Sequence, residues 1–276
     1  MIMDLINVGF WGFIGSSSLI IGAIVGYYVS IPKKISSSLV ALSAGILTSA
    51  MCFDILIKSN HYGGLIPTII GFILGVSIFT SMNILVSRLI FKSKREEVNI
   101  EDYSESLNNE YSSFKEIARK FINYKTKPNN LYERDSLISM FSVLIEGIPE
   151  SIAIGLILII GGPISIALII SIFLANLFEG LTGTENMKLG KWGKKSIFGV
   201  WIFVILLAPL CAMLSYNIFS STDHQIIAIA LGISAGAIIS MIADIMLPQA
   251  FNETQEYTGV LMALGFLISF VLSQAI

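Results

Sequence analysis

Charge is the scarcest property of this 276-residue chain: only 13% of its residues are Asp, Glu, Lys or Arg, against about a quarter in soluble domains. With 54% hydrophobic residues and a mean hydropathy of +0.80, a water-soluble globule is excluded. Cysteine and histidine are almost as rare, at two each. Cys52 and Cys211 both fall inside apolar stretches, where a thiol behaves as a small buried hydrophobe, so neither a disulfide framework nor a thiolate metal site is expected. His61 and His224 fall between the apolar stretches and read as solvated loop residues. The N-terminal MIMDLINVGFWGFIG has an acid, Asp4, and no Lys or Arg before its apolar run. It lacks the basic start of a signal peptide and reads as the beginning of a first membrane span.

What the chain does have is apolar length. Eight stretches run approximately Val8 to Ser30, Ser38 to Ile57, Leu65 to Phe91, Ser136 to Ile160, Ile164 to Met187, Ser196 to Phe219, Ile226 to Ala250 and Tyr257 to Ala275. About 20 apolar residues cross a bilayer core as helix, and none of the stretches shows the alternation of barrel strands. The expected fold is therefore all-α, a polytopic membrane protein of eight transmembrane helices. Small residues at close spacing, such as Gly22 with Gly26, Gly71 with Gly75 and Gly232 with Gly236, predict tight helix packing.

Between Lys92 and Arg134 the composition turns polar and mixed in charge, which predicts a solvated loop with a short amphipathic helix near Phe114 to Phe121. Lys33, Lys34, this loop, Lys188, Lys191, Lys194 and Lys195 fall on one side of an eight-span topology, whereas the other side has only Lys58. By the positive-inside rule the basic loops are cytoplasmic and both termini outside, in the cell membrane.

The informative residues are acids inside apolar stretches: Asp54, Glu146, Glu150, Glu179 and Asp244. An Asp at mid-bilayer costs about 2.5 to 3.5 kcal/mol by insertion scales, and such residues mark ion or proton paths. No Lys, Arg or His lies at comparable depth, so the acids are either protonated or matched by a cation from solution. Glu146 and Glu150, four apart, share a helix face, and Pro149 between them leaves the Ile145 carbonyl without its helical donor. Asn176 precedes Glu179 by three, again on one face, followed by Gly180, Thr182, Gly183 and Thr184. The threonines read equally as oxygen donors and as packing residues. Asp54 and Asp244, near span ends, read equally as interfacial residues and as a flanking site on the ion's way in or out.

The second stretch, LSAGILTSAMCFDIL, resembles the seventh, ISAGAIISMIADIMLP, with a one-residue offset. This predicts a 3+2+3 inverted repeat: three helices in 1–91, the polar loop in 92–135, a central pair in 136–188, and three helices in 189–276. At these residues the chain resembles the ZIP family of divalent metal transporters. Glu146-Gly147-Ile148-Pro149-Glu150-Ser151 is similar to that family's fourth-helix motif, and Asn176, Glu179 and Gly180 match its fifth-helix motif. Ala41 to Asp54 and Ala230 to Pro248 resemble its second and seventh helices. The resemblance implies eight spans, outward termini and a metal site on the fourth and fifth helices. There are departures: Glu146 stands where His is common, Gly147 where Asn is, Ala175 where a polar ligand is, and the sixth stretch has no acid.

These readings combine into a transporter, not an enzyme, that moves Zn2+, Mn2+ or Fe2+ into the cytoplasm. Its metal ligands would be Glu146, Glu150, Asn176 and Glu179, with Asp54 and Asp244 flanking. No cofactor is expected, the metal being the transported substrate. Oxygen-only ligands favour Mn2+ and Fe2+, whereas the resemblance favours Zn2+. The partners expected are divalent metal ions and the lipid bilayer, with a homodimer allowed and no nucleic acid. A proton-coupled cation carrier and a non-transporting metal sensor of the same fold are the alternatives. An intramembrane hydrolase lacks His-Glu-x-x-His, Gly-x-Gly-Asp and any Ser paired with a buried His.

Overall fold

The computed structural model describes residues 2–92, 147–160 and 166–275, and every regular element among them is a helix. In order these are α1 (Ile2–Tyr28), α2 (Lys33–Ala50), a π-helical stretch (Met51–Leu56), α3 (Ile57–Gly63), α4 (Leu65–Lys92) and α5 (Gly147–Ile160). They continue with α6 (Ile166–Leu189), α7 (Lys194–Phe219), α8 (His224–Met241), a second π-helical stretch (Ile242–Met246), α9 (Leu247–Thr254), a 3-10 turn (Gln255–Tyr257) and α10 (Thr258–Ala275). Six continuous helical segments among the described residues are long and apolar enough to cross a membrane. The chain is thus a helical, multi-pass membrane protein.

Several boundaries differ from the sequence reading. The first helix begins at Ile2, and the second runs on through its π stretch to Gly63, where Gly64 at φ +94° turns the chain into α4. A left-handed φ is what glycine accepts without steric cost. His61 consequently lies in the last turn of α3, and His224 is the first residue of α8, stacked on Tyr62 with centroids 4.3 Å apart. Neither histidine is a loop residue; polar composition marked a helix end, not its absence. The final segment, His224–Ala275, is 52 residues long, far more than one bilayer crossing requires, and it breaks at Gln255 (φ 43°). Of the fourth predicted stretch only Gly147–Ile160 is described, and the polar loop lies outside the described residues.

Glycines hold the helices together. On α4, Gly71 and Gly75 lie against the carbonyls of Ile229 and Ile233 of α8, while Gly232 and Gly236 return the contact to Thr68 and Phe72. Residue numbers rise together, so the two helices run parallel. Gly22 and Gly26 of α1 meet Leu177 and Leu181 of α6, and Gly180 meets Leu19, another parallel pair. In contrast, Gly9 faces Met213 and Gly12 faces Pro209, so α1 and α7 run antiparallel. Gly45 and Gly265 pin α2 to α10, and Gly155 pins α5 to α7. A Cβ at the glycines that meet backbone carbonyls would occupy the neighbouring carbonyl's place. Such contacts add Cα–H···O bonds of about 0.5 to 1 kcal/mol each. Pro209, inside α7, has no N–H for the carbonyl of Ile205, and Ser16 of α1 reaches that carbonyl at 3.5 Å.

The two stretches that resemble each other in sequence share a backbone peculiarity. Ile57 N–H donates to Cys52 O and Leu247 N–H donates to Ile242 O, each five residues back, as in a π-turn. Asp54 and Asp244 occupy the same position within these turns, two residues after the accepting carbonyl. The one-residue offset between the repeated motifs therefore falls between Ser-Ala-Gly and the π-turn.

Candidate functional site

A cavity opens where α1, α5, α6 and α7 converge. Its polar lining is Ser16 from α1, Glu150 and Ser151 from α5, and Asn176 from α6; the rest is glycine and aliphatic side chains such as Leu19, Ile154, Ile172 and Val204. Glycines at Gly12 and Gly147 keep its wall low. Glu150 is 3% exposed and its Oε1 has no hydrogen-bond partner. Among the described residues no cationic side chain lines the cavity. A carboxyl in that position is satisfied by a proton or by a cation that comes from outside the protein.

Asn176 is fixed by α1. Its Nδ2 donates to the Gly15 carbonyl at 3.0 Å, and because a carbonyl only accepts, this contact decides the amide's orientation. Its Oδ1 is left as the acceptor end. Glu179 follows Asn176 on α6 by three residues and is half-buried. The structure thus brings Glu150 and Asn176 onto one cavity, with Glu179 about one helical turn beyond Asn176 and outside the cavity lining. The small residues after Glu179 serve packing: Gly180 meets Leu19, Gly183 meets the Trp201 ring, and Thr184 accepts the indole N–H of Trp201 at 2.7 Å. Thr182 turns back to the Glu179 carbonyl.

Glu146 and the Ile145 carbonyl lie outside the described residues, while Pro149 falls in the first described turn of α5. Among the described residues no group of three His, Cys, Asp or Glu side chains is arranged to hold a metal. The flanking acids diverge. Asp54 is buried, with Oδ1 3.7 Å from Lys58 Nζ and Oδ2 without a hydrogen-bond partner, whereas Asp244 is exposed. Sequence reasoning passed over Ser16 and Ser151. Ser151 carries a readable signal, its position beside Glu150, but Ser16 lies among the serines of an apolar helix and only tertiary packing singles it out.

No protein-family model matches the chain, and no curated protein matches it.

Proposed function

We propose that this protein carries divalent metal cations across the membrane through the cavity that holds Glu150. The observation behind this reading is a carboxyl 3% exposed, with an unpartnered oxygen, in a cavity that offers an amide and two hydroxyls but, among the described residues, no positive charge. Burying a carboxylate without a partner costs far more than a helix retains for no purpose. The ligand set is Glu150, Asn176 and Glu179, with Glu146 as a further carboxylate, similar to a ZIP transporter without imidazole. Such a hard oxygen set suits Mn2+ and Fe2+, with Zn2+ accepted.

Helix directions support eight crossings. The parallel α1–α6 and α4–α8 pairs and the antiparallel α1–α7 pair fit an eight-crossing order in which the apolar α5 is the crossing between α4 and α6. Division of His224–Ala275 at Gln255 supplies the last two crossings. The matching π-turns at Asp54 and Asp244 favour a repeat of the first three spans in the last three. The basic residues place α1's C-terminal end in the cytoplasm, where Lys194 Nζ donates to Tyr28 Oη at 2.6 Å.

Proteoliposomes loaded with a metal-sensitive dye test the proposal. Mn2+, Fe2+, Zn2+ and Mg2+ are offered in turn at pH 7.5 and pH 5.5. Uptake of at least one ion above protein-free vesicles is expected, and it should fall at the lower pH, because carboxylates must lose protons to bind metal. Proton movement without metal uptake would instead establish the proton-carrier reading, which the same buried carboxyls favour. Orientation has its own check. In a chain whose native cysteines are replaced by alanine, Lys195→Cys should resist an impermeant thiol reagent in intact cells and react after permeabilisation.

A further inference from the structure

We infer that Ser16 on α1 and Ser151 on α5 are oxygen ligands of the transported cation, completing with Glu150 and Asn176 a four-oxygen set drawn from three helices. The inference rests on the cation-site reading above and extends it to two residues outside the acidic motifs. Both serines line the cavity that holds Glu150, and both are buried, at 4% and 3% exposed. Each hydroxyl proton has a backbone carbonyl to go to: for Ser16 Oγ it is Gly12 O at 2.9 Å, one turn back, with Phe13 O at 3.3 Å and Ile205 O at 3.5 Å as alternative acceptors, and Ser151 Oγ donates to Gly147 O. A hydroxyl has one proton and two lone pairs, so each serine faces the cavity as an acceptor only. Serines that present only lone pairs cannot stabilise the Glu150 carboxylate, whose Oε1 has no hydrogen-bond partner, and Asn176 already spends one of its two N–H groups on Gly15. They do suit a cation, which needs several oxygens at once.

The position of Ser16 is set by a chain of backbone contacts. Gly12 brings α1 onto Pro209, and the carbonyl that this proline leaves free, Ile205 O, sits 3.5 Å from Ser16 Oγ. Asn176 is held by Gly15, the residue before Ser16. Helix α1 therefore supplies one ligand directly and orients another.

The test uses sulfur as a probe of ligation. Full-length purified Ser16→Cys and Ser151→Cys are compared with wild type for Mn2+ and Cd2+ binding by competition calorimetry, with Ser18→Cys as control. Ser18 is buried on the same helix but does not line the cavity. A thiolate ligand selects soft metals, so each cavity cysteine should raise the Cd2+ to Mn2+ affinity ratio by about tenfold or more, and Ser18→Cys should leave it unchanged. A purely structural role for the serines would not move this ratio. Ser16→Ala and Ser151→Ala provide a second measure: each should weaken Mn2+ binding several-fold, and wild-type Mn2+ affinity in an alanine variant removes that serine from the site even if its cysteine variant does not fold. Glu150→Gln separates the two levels of the argument. If it binds both metals as wild type does, the cation-site reading fails and the serine assignment with it. If Glu150→Gln loses binding while the cysteine variants keep the wild-type ratio, the serine assignment alone is overturned.

Discussion

Glu150 and Asp54 are both buried acids on apolar helices, yet their surroundings differ in one decisive respect. Asp54 lies within its own π-turn and has a lysine of the same helix, Lys58, 3.7 Å away. Glu150 has an amide and two hydroxyls around its cavity and, among the described residues, no cationic side chain on it. Asp54 has a counter-charge on its own helix, and on the proposed reading Glu150 takes one from solution. Asp244 extends the contrast, since it repeats the backbone setting of Asp54 but is exposed on the outside of the helix bundle, away from the cavity. Burial is thus common to Glu150 and Asp54, and what separates them is whether a lysine stands beside the carboxyl.

Neutralising Glu150, on the cavity, or Glu179, one turn beyond Asn176, should have the largest effect. Glu150→Ala and Glu179→Ala are each expected to lower metal uptake on the order of 100-fold, because a desolvated cation there loses an anionic ligand that nothing nearby replaces. Expression and insertion are checked in parallel, and wild-type rates in both variants would dissolve the contrast with Asp54. An intermediate effect is expected around Asp54. Lys58→Met strands a buried carboxylate and should lower the melting temperature more than the double variant Asp54→Asn/Lys58→Met does, since a pair removed together leaves no orphan charge. Equal melting temperatures would mean that the 3.7 Å pair is not the partner of Asp54. The smallest effect belongs to Asp244→Asn, which should keep uptake within about twofold of wild type, as Asp244 does not line the cavity that holds Glu150. A loss comparable to that of Glu150→Ala would make Asp244 part of the ion path.

Much of this was legible in the sequence. Long apolar stretches announced the helices, and Gly22, Gly26, Gly71, Gly75, Gly232 and Gly236, read as packing residues, all proved to be points of backbone contact. Asn176 and Glu179, three apart, do share one helix, α6, and Asn176 lines a cavity with Glu150, but Glu179 does not. The π-turns were not legible. A π-turn is a change of hydrogen-bond register by one residue, and Met51–Leu56 has no proline or glycine to mark it. The partner of Asp54 was in plain view four residues on, but Lys58 read as a loop residue once the helix was ended at Ile57. Ser16 could not be found at all, because its importance comes from α5 and α6, which are distant in sequence.

That distance governs how the molecule is made. The partner of α1 in parallel packing is α6, with Asn176 reaching Gly15 across 161 residues, and Ser59 reaches Ala228 across 169. Parallel helices cannot form a hairpin, so α1 and α4 emerge from the ribosome well before the surfaces they will rest on. Their glycine faces wait in lipid until the second half of the chain inserts. A nascent chain stopped after α4 is thus left with its principal interfaces unformed, and biogenesis depends on the late helices arriving in register.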